Sequence, residues 1–276
     1  MIRFSHSVFA LPFAYAGVVL AGNRGEITVS KIIWITIAMV SARSAAMGFN
    51  RLADHSLDAR NPRTKARALP AGRIGISAVR IFVLISLIVF FLSAAMLNWL
   101  ALFLFPLAVF IILSYSYTKK FTVMSHYYLG LSLGIAPIGG WIGITGVFNY
   151  LPILMSVGVL FWVAGFDIIY SLSDIEIDRR EGLKSIPVRY GIRGALWISR
   201  FSHLIAFLFF SAVYLISCAP LLSIAFLAII LAMLLFQHIS LKPEDGKSVN
   251  RAFFIGNSII SVVFFAGIFI SAIFFK

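Results

Sequence analysis

The sequence predicts an all-α integral membrane protein, and three observations point to that class. The 276 residues are 61% hydrophobic and only 12% charged, with a mean hydropathy of +1.00, whereas soluble domains are about half apolar. The apolar residues fall in repeated runs long enough to cross about 30 Å of hydrocarbon, which takes roughly 20 helical residues each. The 23 Lys and Arg crowd into alternate connecting segments, the bias that the positive-inside rule describes for multi-pass proteins. One polytopic domain over residues 1–276 follows, rather than the two soluble domains that the length alone would allow.

Taken in order, the apolar runs lie at roughly 8–22, 31–50, 79–97, 99–116, 127–147, 151–172, 195–217, 219–238 and 252–274. They make nine transmembrane helices, with the divisions at Asn98 and at Ala219-Pro220 marked by a single polar residue and a helix-breaking proline. The first run follows Arg3 and has the length of a signal-peptide core. Pro12 interrupts it and Ala14-Tyr15-Ala16 lies in its middle, so it reads as a retained helix. Cys218 is the one cysteine, which excludes a disulfide framework and a thiolate metal site.

With the N-terminus cytoplasmic, one face of the membrane carries Arg3, Arg51 to Arg80, Lys119 and Lys120, Arg179 to Arg200, and Lys242 to Arg251. The other face carries only Arg24, Lys31 and Lys276, and Arg43 falls within a span. That asymmetry predicts an N-in, C-out protein of the inner (plasma) membrane. It also accounts for the net charge of +13 without a nucleic-acid partner. The outer loops are short, whereas the cytosolic loops 51–78 and 173–194 are long and polar, so the functional residues belong to these two cap loops and the helix ends that carry them.

Acidic residues number 10, and Asp54, Asp58, Asp167, Asp174, Glu176, Asp178 and Glu181 fall in two short windows. Asn50, Asp54 and Asp58 are spaced i, i+4, i+8, so at about 100° per residue they share one helical face. Asp167, Ser171, Asp174 and Asp178 follow a 4-3-4 spacing and share another. Like charges stacked in this way repel unless a cation joins them, and a donor set of oxygens without Cys suits a hard ion that shares its ligands with phosphate, namely magnesium. Glu176 and Glu181 read as solvated loop ends paired with nearby arginines. The two windows resemble each other, as Asp54-x3-Asp58 and Asp174-x3-Asp178, and suggest a repeat of helical hairpins around a central cavity.

A diphosphate needs positive charge beyond the metal. Arg60, Arg63, Lys65 and Arg67 follow the first acidic window, Lys119 and Lys120 end the fourth span, and Lys184 and Arg189 follow the second window. Arg67 and Lys119 are the strongest candidates for direct binding, the others reading first as topology charges at headgroup level. Arg43 lies about two turns deeper than Asn50 on much the same face, and a guanidinium inside a span needs an anionic partner; either Asp167 or the carboxylate of an aromatic acid would serve. His6, His55, His126, His203 and His238 show no ligand spacing and read as packing residues. Aromatic residues near the acids could shield a carbocation through their π faces.

These residues resemble the UbiA superfamily of intramembrane aromatic prenyltransferases. The resemblance runs from about Phe4 to the last helix. It is carried by the segment from Arg43 through Asn50 and Asp54 to Asp58, by Asn61-Pro-Arg63-Thr-Lys-Ala-Arg67, by Tyr115-Ser-Tyr-Thr-Lys119-Lys120, and by the segment from Asp167 through Tyr170 and Asp174 to Asp178. Membership would imply nine helices around a central cavity and magnesium-dependent transfer of a polyprenyl chain from its diphosphate to an aromatic ring. Asn50, Asp54, Asp58, Asp174 and Asp178 would then hold the magnesium, and Lys119, Arg63, Arg67 and Lys184 the diphosphate. Asp167, Arg43 and Tyr115 would serve the acceptor, as proton acceptor, carboxylate anchor and hydrogen-bonding or shielding group. Arg51 stands where some members have a second acid.

The Ala-Met-Gly-Phe-Asn-Arg stretch looks like the 4-hydroxybenzoate polyprenyltransferases of ubiquinone biosynthesis. It looks also like the enzymes of futalosine-pathway menaquinone biosynthesis, which prenylate a dihydroxynaphthoate. An ion-coupled transporter would also explain acids within a membrane, but it would want them at the midplane rather than at one face beside a cation cluster. A CDP-alcohol phosphotransferase would need interposed Gly and Ala-Arg in its acidic motif, which are absent, and a non-enzymatic scaffold would need none of these residues.

Overall fold

The computed structural model describes residues 10–241, 248–249 and 252–275. The start of the first apolar run, Arg3, His6, Lys276 and most of the basic segment 242–251 lie outside the described residues. The chain is all-α. Its elements are α1 (Leu11–Ala21), α2 (Val29–Ala53), α3 (His55–Arg60), α4 (Ile76–Leu97), α5 (Trp99–Thr118), α6 (Ser125–Thr145), α7 (Tyr150–Ser171), α8 (Ile175–Arg180), α9 (Ile186–Ser217), α10 (Pro220–Ile239) and α11 (Asn257–Phe274). A 3-10 turn at Leu172–Asp174 precedes α8, and a π turn at Ala252–Gly256 precedes α11.

Among the described residues eight helices are long and apolar enough to cross a bilayer. The first of the nine expected spans appears as the 11-residue α1. Caps explain where the helices stop. Asn98 separates α4 from α5 with extended backbone; its Oδ1 accepts the Ala101 N–H at 3.0 Å while its Nδ2 donates to the Ile142 carbonyl at 2.7 Å. Thr28 and Asn149 cap α2 and α7 in the same way, each supplying an acceptor for a backbone donor that the first helical turn leaves free.

The helix expected over 195–217 begins earlier, at Ile186, but it is interrupted at Gly191, where φ is 68° and ψ is 176°. Only glycine adopts that conformation readily, so the stretch before it, Ile186 to Tyr190, lies at the end of the second cap loop as a separate turn.

The helices pack unevenly. α7 makes its most extensive contacts with α6 and α9, α2 packs on α4, and α1 fits between α6 and α11. The half built from α1, α7, α9, α10 and α11 is filled solidly. Phe13, Phe210 and Phe264 are fully buried with ring centroids 4.7 to 5.6 Å apart, and Trp162 lies 5.2 Å from Phe13. Such aromatic pairs add about 0.5–1.5 kcal/mol each beyond the area they bury. The other half, α2 and α4 to α6, encloses space instead. The outward faces of α4, α5 and α9 expose Leu84, Phe103, Phe110 and Leu208, as helices surrounded by lipid require.

Candidate active site

Both acidic windows lie where a long helix breaks. α2 ends at Ala53, Asp54 takes φ −97° and ψ 6°, and the six-residue α3 begins at His55. The second window repeats this: Asp174 takes φ −114° and ψ 4°, and the six-residue α8 begins at Ile175. Both acids occupy the sparsely populated bridge region between helix and sheet conformations. The single unbroken helical face expected for each window is therefore corrected to a long helix and a six-residue helix with an acid at the break between them. The Asp54 N–H still reaches the Asn50 carbonyl at 2.9 Å and the Asp58 N–H the Asp54 carbonyl at 2.7 Å, so the i, i+4, i+8 hydrogen-bonding register survives the bend.

Each acid is met by a cation. Asp54 Oδ2 accepts from Asn50 Nδ2 at 3.0 Å and lies 3.6 Å from Lys119 Nζ. Asp58, also buried, receives Arg67 Nη1 at 2.7 and 2.9 Å and Arg51 Nη1 at 3.2 Å. Asp174 takes both the Nε, at 3.0 Å, and the Nη2 of Arg63, together with Asn61 Nδ2 at 3.2 Å. Arg63 spends its third donor on the Tyr170 hydroxyl at 2.7 Å, with its guanidinium 5.2 Å from the ring centre. Burial depresses the Arg63 guanidinium, but the Asp174 carboxylate beside it reverses the sign and holds it above its ordinary value. Asp178 is buried, and Lys119 and Asp174 both act on it electrostatically. Arg60 and Glu181 form a two-point ion pair at 2.8 and 2.6 Å, the arginine pairing expected of Glu181, and it ties the two cap loops together.

Beneath these charges lies a cavity of about 970 Å³, running from Asn50, Arg51, Arg63 and Arg67 down between α2, α4, α5, α6 and α7 to Leu97 and Ile142. Arg43, Tyr115, Asp167 and Tyr170 line its upper part. Arg43 and Asp167 share this wall without pairing. Asp167 Oδ2 is held by His126 Nδ1 at 2.7 Å, while His126 Nε2 accepts the Ile186 N–H at 3.4 Å, which puts the ring proton on Nδ1. Arg43 Nε is buried with no hydrogen-bond partner.

Of the residues expected at the site, Lys184 stands apart. It is exposed, its ammonium donates to the Phe121 carbonyl at 3.3 Å and its N–H to the Lys119 carbonyl at 2.7 Å. It therefore fastens the second cap loop to the turn after α5. Asn61 and Tyr170 were visible only as members of motifs, and His126 only as an isolated histidine. Its partner lies 41 residues away on another helix, a pairing that no spacing along one helix reveals.

No three His, Cys, Asp or Glu converge on one point among the described residues. The fit to a hard divalent ion rests instead on Asp54, whose Oδ1 is buried and lacks a hydrogen-bond partner, and on a donor set made wholly of oxygens. A buried, unsatisfied carboxylate oxygen costs about 1–3 kcal/mol or more, and a cation between the cap loops would satisfy it. The residues present fit such an ion.

Residues 10–268 match the UbiA prenyltransferase family. A 4-hydroxybenzoate octaprenyltransferase of Xanthomonas campestris pv. campestris (strain B100) is 30% identical over 246 residues, which cover 86% of this chain and 76% of that protein. Another of the same name, from Vesicomyosocius okutanii subsp. Calyptogena okutanii, is 26% identical over 246 residues, covering 87% of each. Among solved structures, the apo structure of a UbiA homolog from Aeropyrum pernix K1 matches with a TM-score of 0.87 at 32% identity, covering 98% of this chain and 99% of that one. A UbiA homolog from Archaeoglobus fulgidus bound to GPP and Mg2+ shares the fold, with a TM-score of 0.76 at 21% identity and coverage of 96% and 95%.

Proposed function

The chain belongs to the UbiA prenyltransferase family, and from that premise we propose that it transfers a polyprenyl group from a polyprenyl diphosphate to a hydroxyaryl carboxylate, with 4-hydroxybenzoate as the acceptor. The observation that carries this reading is the cavity capped by paired acids and cations, with Arg43 and Asp167 below the cap and apolar walls beyond them. The names of the relatives support the acceptor, and the A. fulgidus homolog bound to GPP and Mg2+ supports the donor and the metal. The basic cap loops support a cytoplasmic site in a plasma-membrane protein.

Magnesium, when held by Asn50, Asp54, Asp58, Asp174 and Asp178, supplies the charge that stabilises the departing diphosphate. Lys119, Arg63 and Arg67 bind the diphosphate oxygens directly, exchanging their carboxylate partners for phosphate, and Lys184 holds the second cap loop against the turn after α5. The donor C–O bond breaks, the diphosphate leaves with the electron pair, and the allylic cation stays in a cavity from which apolar walls exclude water. Arg43 grips the acceptor carboxylate in a two-point contact. The ring carbon ortho to the hydroxyl forms the new C–C bond, and its proton passes to Asp167, which His126 orients. Tyr115 and Tyr170 present π faces and hydroxyls to the reacting centre.

The test uses detergent-purified protein, a prenyl diphosphate and either 4-hydroxybenzoate, a dihydroxynaphthoate or unsubstituted phenol. Magnesium-dependent diphosphate release with a prenylated 4-hydroxybenzoate product is expected, and Asp54→Asn is expected to lower the rate a hundredfold or more, as loss of a positioned charge does. Product from the naphthoate alone would move the protein to menaquinone biosynthesis. No release with any acceptor would overturn the reading, and Asp54→Asn retaining more than about a tenth of the rate would remove Asp54 from the metal ligands.

A further inference from the structure

We propose that Gly139 sets the length of prenyl tail that the cavity receives, and that the natural donor carries a tail of twenty carbons or more. The inference rests on the donor class proposed above and goes beyond it to a length and a residue.

α6 descends from His126, beside the reacting centre, toward Gly146 at the far end. Gly139 comes 13 residues after His126, and so lies about 20 Å further along the axis, on the wall of the same cavity. Glycine inside a helix costs roughly 0.5–1 kcal/mol relative to alanine, so each one calls for a reason. Close packing explains the others. Apart from Gly191 at the break in α9, a Cβ added at any other glycine within the described α1 to α11 would meet a heavy atom at 2.9 Å or less, for example at Gly17, Gly130 and Gly140. At Gly139 a Cβ would meet nothing within 4 Å. No neighbouring helix needs the side chain to be absent there, and what its absence leaves open is cavity space. Ala38, Ala94 and Ala101 are among the small residues that line the same cavity.

An extended prenyl chain advances about 5 Å per five-carbon unit, as four zig-zag bonds near 1.5 Å require. With C1 at the level of Asp167 and His126, a ten-carbon tail ends about halfway to Gly139, a twenty-carbon tail reaches it, and longer tails must pass it. A large side chain at this position therefore acts on long donors selectively.

The experiment measures kcat/KM for ten-carbon and twenty-carbon prenyl diphosphates in wild type, Gly139→Leu and Gly139→Phe. The ratio of the twenty-carbon to the ten-carbon value is expected to fall on the order of tenfold or more in Gly139→Phe, the scale on which a filled apolar pocket rejects extra methylenes, and by a smaller factor in Gly139→Leu. An unchanged ratio overturns the inference, including the case in which both donors lose equally because the fold is disturbed. Wild type that uses no prenyl diphosphate would instead overturn the underlying donor assignment. Wild type that uses the ten-carbon donor and not the twenty-carbon one would keep that assignment and overturn the tail length alone.

Discussion

Arg43 was legible as a lone guanidinium within a span, and it left two partners open, Asp167 or a ligand. The pairing of Asp167 with His126 removes the first from contention, and the buried, unpartnered Nε leaves Arg43 with an unmet donor, at a cost of about 1–3 kcal/mol. Arg43→Lys keeps the charge and loses the planar fork. It is therefore expected to raise KM for a hydroxyaryl carboxylate severalfold while leaving KM for the prenyl diphosphate near wild type. Steady-state kinetics with each substrate varied in turn decide the point, and an unchanged acceptor KM removes the anchoring role. Asp54 and Asp174 were equally legible as acids; that each would be held by a cation from a distant loop was not, because Lys119 and Arg63 reach them across 65 and 111 residues of chain.

At the scale of elements, periodicity located the long helices to within a few residues and misjudged the short ones. Asn50, Asp54 and Asp58 share one hydrogen-bonding register, and a register alone does not show that the backbone bends at its middle acid. α3 and α8 are both six residues long, too short to stand without tertiary contacts, and Arg60 of α3 fastens to Glu181 just after α8. The hydrogen bond and charge of Arg60 hold the Glu181 carboxyl below its usual range. A depressed carboxyl stabilises the fold above its unfolded pKa and loses that contribution as pH falls through the lower, folded value, so this latch stays closed throughout neutral pH and opens only in acid. Exposed pairs contribute little to stability. Glu181→Gln is accordingly expected to leave both turnover and the thermal midpoint in detergent near wild type, and a large loss of turnover with an unchanged midpoint would assign the latch a part in ordering the cap loops.

The architecture of the whole molecule was readable because hydrocarbon imposes one solution on every apolar run, and because basic residues divide unevenly between the two ends of the bundle. Its interior was not readable in this way. Apolar residues that fill a core and apolar residues that line a cavity have the same composition, and only the packing distinguishes the solid aromatic half from the hollow one. That division bears on how the protein opens. Regions with few buried contacts unfold locally at lower cost than a packed core; α7 is the most buried of the long helices and α5 the least. Amide hydrogen exchange in lipid nanodiscs is therefore expected to be slowest in α7 and the adjoining part of α9 and faster in α5, with the loop at residues 61–75 fastest among the segments at the mouth of the cavity. Equal exchange in α5 and α7 would count against this order. On that order α5, at one wall of the cavity, can open without loosening α7, the helix that carries Asp167.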